Sequence, residues 1–189
     1  MLVFPDNAKD KTYTLTSSDP NIMRINDNNT FTAVSSGEAV ITATAASGVK
    51  HALYITVICL DEIAAEVLRL TNIERAKHGA GAVSANNSTL NSAAAIRAQE
   101  VVSLWSHTRP CGRDPFTAFT DLGGTYRMMG ENLAAGQRTP KEVVDAWMNS
   151  KTGHRETLLH PDFTHLGIGI VLSEGRFYWC QLFLTERDW

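Results

Sequence analysis

Two histidines, a glutamate and a serine in the second half of the chain have types and positions that could act together: His107, Glu131, Ser150 and His154. A neutral imidazole holds a metal, takes a proton or hydrogen-bonds a ligand, and a carboxylate orients that imidazole or acts as a general base. Two imidazoles and one carboxylate with an open fourth position would suit Zn. His107 and His154 would then be metal ligands, and Glu131 the catalytic base of a metal-assisted, peptidase-like hydrolase. The same side chains equally suit a metal-free, hydrogen-bonded cluster bracing a ligand cleft. A serine-hydrolase arrangement would make Ser150 the nucleophile, with His154 or His107 as base and Glu131 as its orienter. Ser150 lies outside any GxSxG elbow, however, and no oxyanion donor pair presents itself.

These residues must be positioned by the elements around them. From Asp61 onward the apolar pattern is helical. Asp61 can cap a helix carrying Ile63, Val67 and Leu70 that ends at His78-Gly79, with glycine at the C′ position. Asn87 or Ser88 caps a second helix with Leu90, Ala94, Val101 and Leu104 on one face, and His107 follows in the loop that begins at Ser106. Glu131 precedes a strand. Thr139-Pro140-Lys141-Glu142 is a capping box with proline at N1, opening a third helix that turns Val143, Val144, Trp147 and Met148 inward. Ser150 and His154 share a face of that helix if it persists through Gly153. Leu166–Leu172 and Arg176–Leu184 read as a closing hairpin. Trp147, Trp179 and Phe183 read as core. Gln181 alternates in phase with Trp179 and Phe183, and is a candidate cleft hydrogen-bonding group.

Before residue 59 the rhythm differs. Tyr13–Thr16, Ile22–Ile25, Phe31–Val34, Ala39–Ala43 and Ala52–Val57 are short and rich in β-branched residues, with turn signals between them, and predict a small all-β sandwich.

The 189 residues carry a net charge of -3 with no Lys/Arg run, which excludes nucleic acid or an anionic membrane as the main partner. No apolar stretch reaches the ~20 residues of a transmembrane segment. Met1 to Lys11 has neither a basic n-region nor an apolar h-region, so an exported protein would carry its leader outside this chain. Cys59, Cys111 and Cys180 are too few and scattered for a disulfide scaffold or a structural zinc site. They read as free, buried thiols; the alternative is a Cys111–Cys180 bridge within the second domain.

Four blocks occur in a specific order: Trp105-Ser106-His107-Thr108-Arg109-Pro110, Gly130-Glu131-Asn132-Leu133-Ala134, Trp147-Met148-Asn149-Ser150 with Gly153-His154-Arg155, and Tyr178-Trp179-Cys180-Gln181-Leu182-Phe183. Together they resemble the signatures of the CAP superfamily (the cysteine-rich secretory, antigen 5 and pathogenesis-related-1 proteins), in its bacterial SCP-like branch. The resemblance implies an α-β-α sandwich and a central cleft to which two segments each give a histidine and a Gly-Glu-Asn motif gives an acid. On this chain those positions are His107, His154 and Glu131. Where many eukaryotic members place a second glutamate, this chain has Ser150, so a paired-carboxylate mechanism loses one carboxylate. The first half similarly resembles a bacterial Ig-like group 2 (BIg2) module, shortened at its start, that would serve as a spacer.

The expectation is therefore an α+β chain: a small N-terminal all-β Ig-like module at 1–58, then an α-β-α sandwich CAP domain at 60–189. The resemblance further implies a secreted or cell-surface bacterial protein. Its ligand-binding cleft, His107, Glu131, Ser150, His154 and Gln181, would take a small ligand, a peptide or surface component, or a divalent cation. A metal-assisted hydrolase and a lipid or sterol carrier are the alternatives.

Overall fold

The computed structural model describes residues 12–187, so the leader reading at Met1 to Lys11 lies outside the described residues. The chain divides into two units, Met1–Cys59 and Leu60–Trp189.

Among the described residues the first unit holds five strands: β1 (Tyr13–Ser17), β2 (Met23–Ile25), β3 (Phe31–Ala33), β4 (Gly37–Ala45) and β5 (Lys50–Val57). Strands β1, β4 and β5 form one antiparallel sheet in that order, and β2 pairs with β3 in a second. Alternation along β4 turns Ala39 and Ile41 to a small core with Met23 and Val57. Leu15, Ile22, Ile25 and Ile55 pack around it.

The second unit opens with α1 (Leu60–Lys77). The helix starts one residue before Asp61, so Asp61 lies in the first turn, where its charge complements the helix dipole, and is not the cap. At the other end the Ala80 N–H bonds the Arg75 carbonyl (2.9 Å) and the Gly79 N–H that of Ala76 (3.2 Å), a Schellman closure. The fully buried stripe of α1 is Val67, Thr71 and Arg75, two of them polar. The Arg75 guanidinium satisfies its burial by donating to the carbonyls of Gly81, Leu158, His160 and Phe163 at 2.6–3.1 Å.

Next come α2 (Ser88–Ser103) and the short α3 (Thr117–Thr120). Asn87 caps α2, its Oδ1 accepting from the Leu90 N–H at 2.9 Å. Strands β6 (Met128–Ala135), β7 (His165–Ser173) and β8 (Arg176–Thr185) form an antiparallel sheet in the order β6-β8-β7. Between β6 and β7 lie α4 (Pro140–Met148) and α5 (His154–Leu159). The α4 cap is Thr139, whose Oγ1 accepts from the Glu142 N–H; the Glu142 carboxylate reaches back to the Arg138 N–H, one residue earlier than the usual capping box.

Strand register assigns the two faces. Glu131 pairs with Leu182 and Leu133 with Cys180, on the face where Leu90, Ala94, Ala98 and Val101 of α2 pack. Asn132 pairs with Gln181 and Ala134 with Trp179, on the face covered by Val67, Val143, Val144, Trp147 and Leu158. Helices thus cover both faces of the sheet, an α-β-α sandwich. The α2 backbone lies directly on β7: a Cβ at Gly167 or Gly169 would run into the carbonyl of Leu90 or Ala94. That close approach fixes the height of α2 above the sheet.

Candidate functional site

Arg97 organises the α2 face of the site. It is fully buried, seven residues after Leu90 on the apolar stripe of α2. Its Nε donates to Glu131 Oε2 at 2.7 Å and its second terminal nitrogen to Glu131 Oε1 at 3.3 Å, a two-point grip on the carboxylate. The first terminal nitrogen donates to Glu100 at 2.6 Å, and the second also holds the Ser106 carbonyl at 2.8 Å. Burial works against the Arg97 charge, but bonding to Glu131 and Glu100 outweighs it and raises its pKa.

Glu131 lies inside β6 rather than before it, its side chain only 2% exposed. Its Oε1 meets His107 Nδ1 at 2.7 Å. An ionised carboxylate has no proton to give, so Nδ1–H donates, and a neutral His107 then carries its lone pair on Nε2. The His107 side chain is 59% exposed, so this nitrogen belongs to a ring open to solvent. The loop behind it is braced by further pairs. Arg109 bonds Glu100 (2.7 Å) and Asp121 (3.0 Å), and Arg113 bonds Asp121 (2.9 Å). Burial of Glu100 opposes its charge, yet Arg109 and Arg97 hold its pKa below the ordinary carboxylate value.

The other histidine is supplied from the opposite face. The helix does not persist through Gly153: α4 stops at Met148, and Gly153 takes a left-handed φ of +97° before α5 begins at His154. Ser150 and His154 nevertheless meet, because the turn brings Ser150 Oγ to 3.0 Å from His154 Nδ1. The His154 carbonyl accepts from Asn132 Nδ2 at 3.0 Å. Asn132 Nδ2 also approaches Gln181 Oε1 (3.3 Å), and Gln181 Nε2 donates to Thr71 Oγ1 (3.0 Å). Burial first, then repulsion from the His107 ring in its protonated form, lower the pKa of His154, while Glu156 opposes them. The two imidazoles are linked through the strand: His107 is held by Glu131 and the His154 carbonyl by the next residue, Asn132.

Gln181 is placed apart from these groups. It does share a face with Trp179 and Phe183, but that face is turned away from Glu131, and Gln181 is fully buried. It supports Asn132 from the adjacent strand β8, fully buried on the face away from Glu131. Arg97 is the residue that sequence reasoning missed; an arginine on an otherwise apolar helix stripe signals a buried partner.

The geometry also revises the chemistry. As a general base or metal ligand Glu131 would need a free oxygen; Arg97 and His107 take Oε1, and Arg97 holds Oε2 with the Cys180 thiol 3.8 Å away. Among the described residues no group of three His, Cys, Asp or Glu side chains is disposed to hold a metal ion, so the His107–His154–Glu131 set does not fit a three-ligand zinc centre. A serine triad is not assembled either: Glu131 orients His107, whereas Ser150 bonds His154, and through Nδ1. The three cysteines are free. Cys111 is exposed, against the buried reading, and Cys180 is buried, its thiol pushed well up in pKa first by burial and then by the Glu131 charge; no Cys111–Cys180 bridge forms.

Comparison with known proteins identifies the family. The family model described as cysteine-rich secretory protein family matches residues 68–183. The Bacillus subtilis protein YkwD is 40% identical over 123 residues, covering 64% of this chain and 46% of YkwD. The Bacillus subtilis membrane protein YlbC is 29% identical over 122 residues, 64% of this chain and 34% of its own. The chain thus aligns with less than half the length of either relative. An extracellular SCP-domain protein from Bacillus anthracis shares the fold with a TM-score of 0.59 at 23% identity, over 72% of this chain and 47% of that one. An outer surface protein from Borrelia burgdorferi does so with a TM-score of 0.62 at 22% identity, over 69% and 97%. With its signature blocks, its helix-covered sheet and the match across residues 68–183, the chain belongs to the cysteine-rich secretory protein (CAP) family.

Proposed function

We propose that this protein is an extracellular bacterial recognition module whose ligand binds at His107 and His154, held by the consecutive residues Glu131 and Asn132, and that the first unit is a BIg2-like spacer. The observation that carries the reading is the Arg97–Glu131–His107 chain. A buried ion pair fixes the ring of an exposed histidine and directs its proton to Nδ1, leaving Nε2 to meet a partner. Ser150 and Thr152 add hydroxyls beside His154, at 3.0 Å from one another. The extracellular and outer-surface relatives support the location. In this reading Glu131 is a positioning residue: its engaged oxygens leave the zinc-hydrolase alternative without its base.

The test is histidine-detected NMR on the full chain. Zinc chloride, inorganic phosphate, short capped peptides and neutral oligosaccharides are added in turn. One of these probes is expected to move the ring signals of both His107 and His154, and His107→Ala to abolish the response at His154. If every probe leaves both rings unmoved, or binding maps only to the first unit, the reading is wrong.

A further inference from the structure

Trp105 is 56% exposed, whereas Trp147 and Trp179 are each 1% exposed and fill the core. An indole is among the most favourable side chains to bury, so one left open beside a site is an unused contact surface. Trp105 precedes His107 by two residues, which limits their Cα separation to about 7 Å. The loop that carries it is anchored on both sides. The Leu104 N–H bonds the Glu100 carbonyl at 3.0 Å, and Arg97 holds the Ser106 carbonyl at 2.8 Å. The indole is thus presented from a braced segment.

The charges around this loop are already matched internally. Arg97 is taken by Glu131 and Glu100, Arg109 by Glu100 and Asp121, and Arg113 by Asp121. On the other side, Arg155 reaches the Met148 carbonyl at 3.4 Å, and exposed Lys151 and Glu156 have opposite signs. A charged ligand therefore finds no concentration of opposite charge here. What remains is an aromatic face, the Nε2 of His107, and the hydroxyls of Ser150 and Thr152 beside His154. His154, whose pKa burial and then His107 lower, adds an uncharged ring near neutral pH.

The geometry points to a neutral saccharide as the ligand of this site. The C–H face of a pyranose ring would lie on the Trp105 indole, while ring hydroxyls bond Nε2 of His107 and the hydroxyls of Ser150 and Thr152. A sugar has that division, an apolar face with a rim of neutral donors and acceptors. A free peptide brings charged termini for which this loop keeps no partner. The inference rests on the reading of His107 and His154 as a recognition site and names its ligand class.

The test titrates the full chain with chitotetraose and cellotetraose, and separately with a capped alanine tripeptide and inorganic phosphate. It follows the Trp105 indole N–H and both histidine rings by NMR. A tetrasaccharide is expected to move all three signals together. Trp105→Ala should weaken that binding about tenfold or more, and Trp105→Tyr by no more than about threefold, since it keeps an aromatic face. The substitution is at an exposed position, so an unchanged melting temperature separates lost binding from lost folding. If neither sugar moves the signals, or Trp105→Ala binds as tightly as the wild type, the inference fails. A response of both histidines to the tripeptide or phosphate alone overturns the saccharide assignment while leaving the recognition site standing. Silence towards every probe overturns the saccharide assignment, and the recognition reading falls with it if zinc chloride is silent as well.

Discussion

Glu131 and Asn132 are consecutive in β6 and serve opposite faces of the sheet. Glu131 turns towards α2, where it is gripped by Arg97 and holds the ring of His107 at 2.7 Å. Asn132 turns towards α1 and α5, where it holds the His154 carbonyl at 3.0 Å and meets Gln181. The pleat of one strand thus assigns one histidine to each layer of helices.

Replacing Arg97 by methionine removes the positive partner of a carboxylate that stays buried. Breaking one side of such a pair costs about 3–5 kcal/mol, so Arg97→Met should lose that much stability in denaturant unfolding. A loss below about 1 kcal/mol would mean that Glu131 relaxes into solvent.

Glu131→Gln should change the ring proton of His107 without removing the side chain that holds it. An amide can donate as well as accept, so the tautomer is no longer dictated. Long-range nitrogen NMR should find Nδ1–H dominant in the wild type at alkaline pH and a mixture in the variant. An unchanged tautomer ratio would contradict the orienting role.

His154 makes the fold sensitive to acid. Its pKa lies below the ordinary 6.5, through burial first and the His107 charge second. Folding thus favours its neutral form, and the unfolded chain binds more protons. This contribution is complete above about pH 6.5 and is lost as pH falls towards the lower folded value. Melting temperatures measured from pH 7.5 downward should fall in that window less steeply in His154→Gln than in the wild type. His107→Ala should raise the pKa of His154 in an NMR titration.

Asn132→Ala leaves Gln181 and the His154 carbonyl each short of a bond. Unpaired buried groups cost about 1–3 kcal/mol, so the variant should be destabilised by that order, with faster amide exchange at the start of α5. Unchanged exchange there would mean that the Arg75 clamp on the Leu158 and His160 carbonyls is sufficient alone.

Much of this was legible in the sequence because the signals were local. The Asn87 and Thr139 caps, the closing hairpin and the α2 stripe at Leu90, Ala94 and Val101 each depend on residues within a few positions of one another, although Leu104, read onto that stripe, is the exposed residue that follows the helix. The core positions of Trp147, Trp179 and Phe183 followed from apolar size and strand alternation. What depended on choosing between two faces was not legible. The phase of Gln181 was right, but period-2 alternation does not say which face holds Glu131. The Arg97–Glu131 pair joins positions 34 residues apart, which no local spacing encodes. Ser150 met His154 for a reason the sequence reading did not contain: a left-handed turn at Gly153 rather than a continuous helix.

The adjacency of Glu131 and Asn132 has a further consequence for binding strength. The ring of His107 and the backbone of His154 are tied to neighbouring residues of one strand, the His154 ring is held in turn by Ser150, and the sheet is locked to α2 by the bare backbone at Gly167 and Gly169. No hinge lies between those attachment points. A partner that touches both rings meets a preorganised surface, so association costs little ordering of the protein and affinity reflects the contacts themselves.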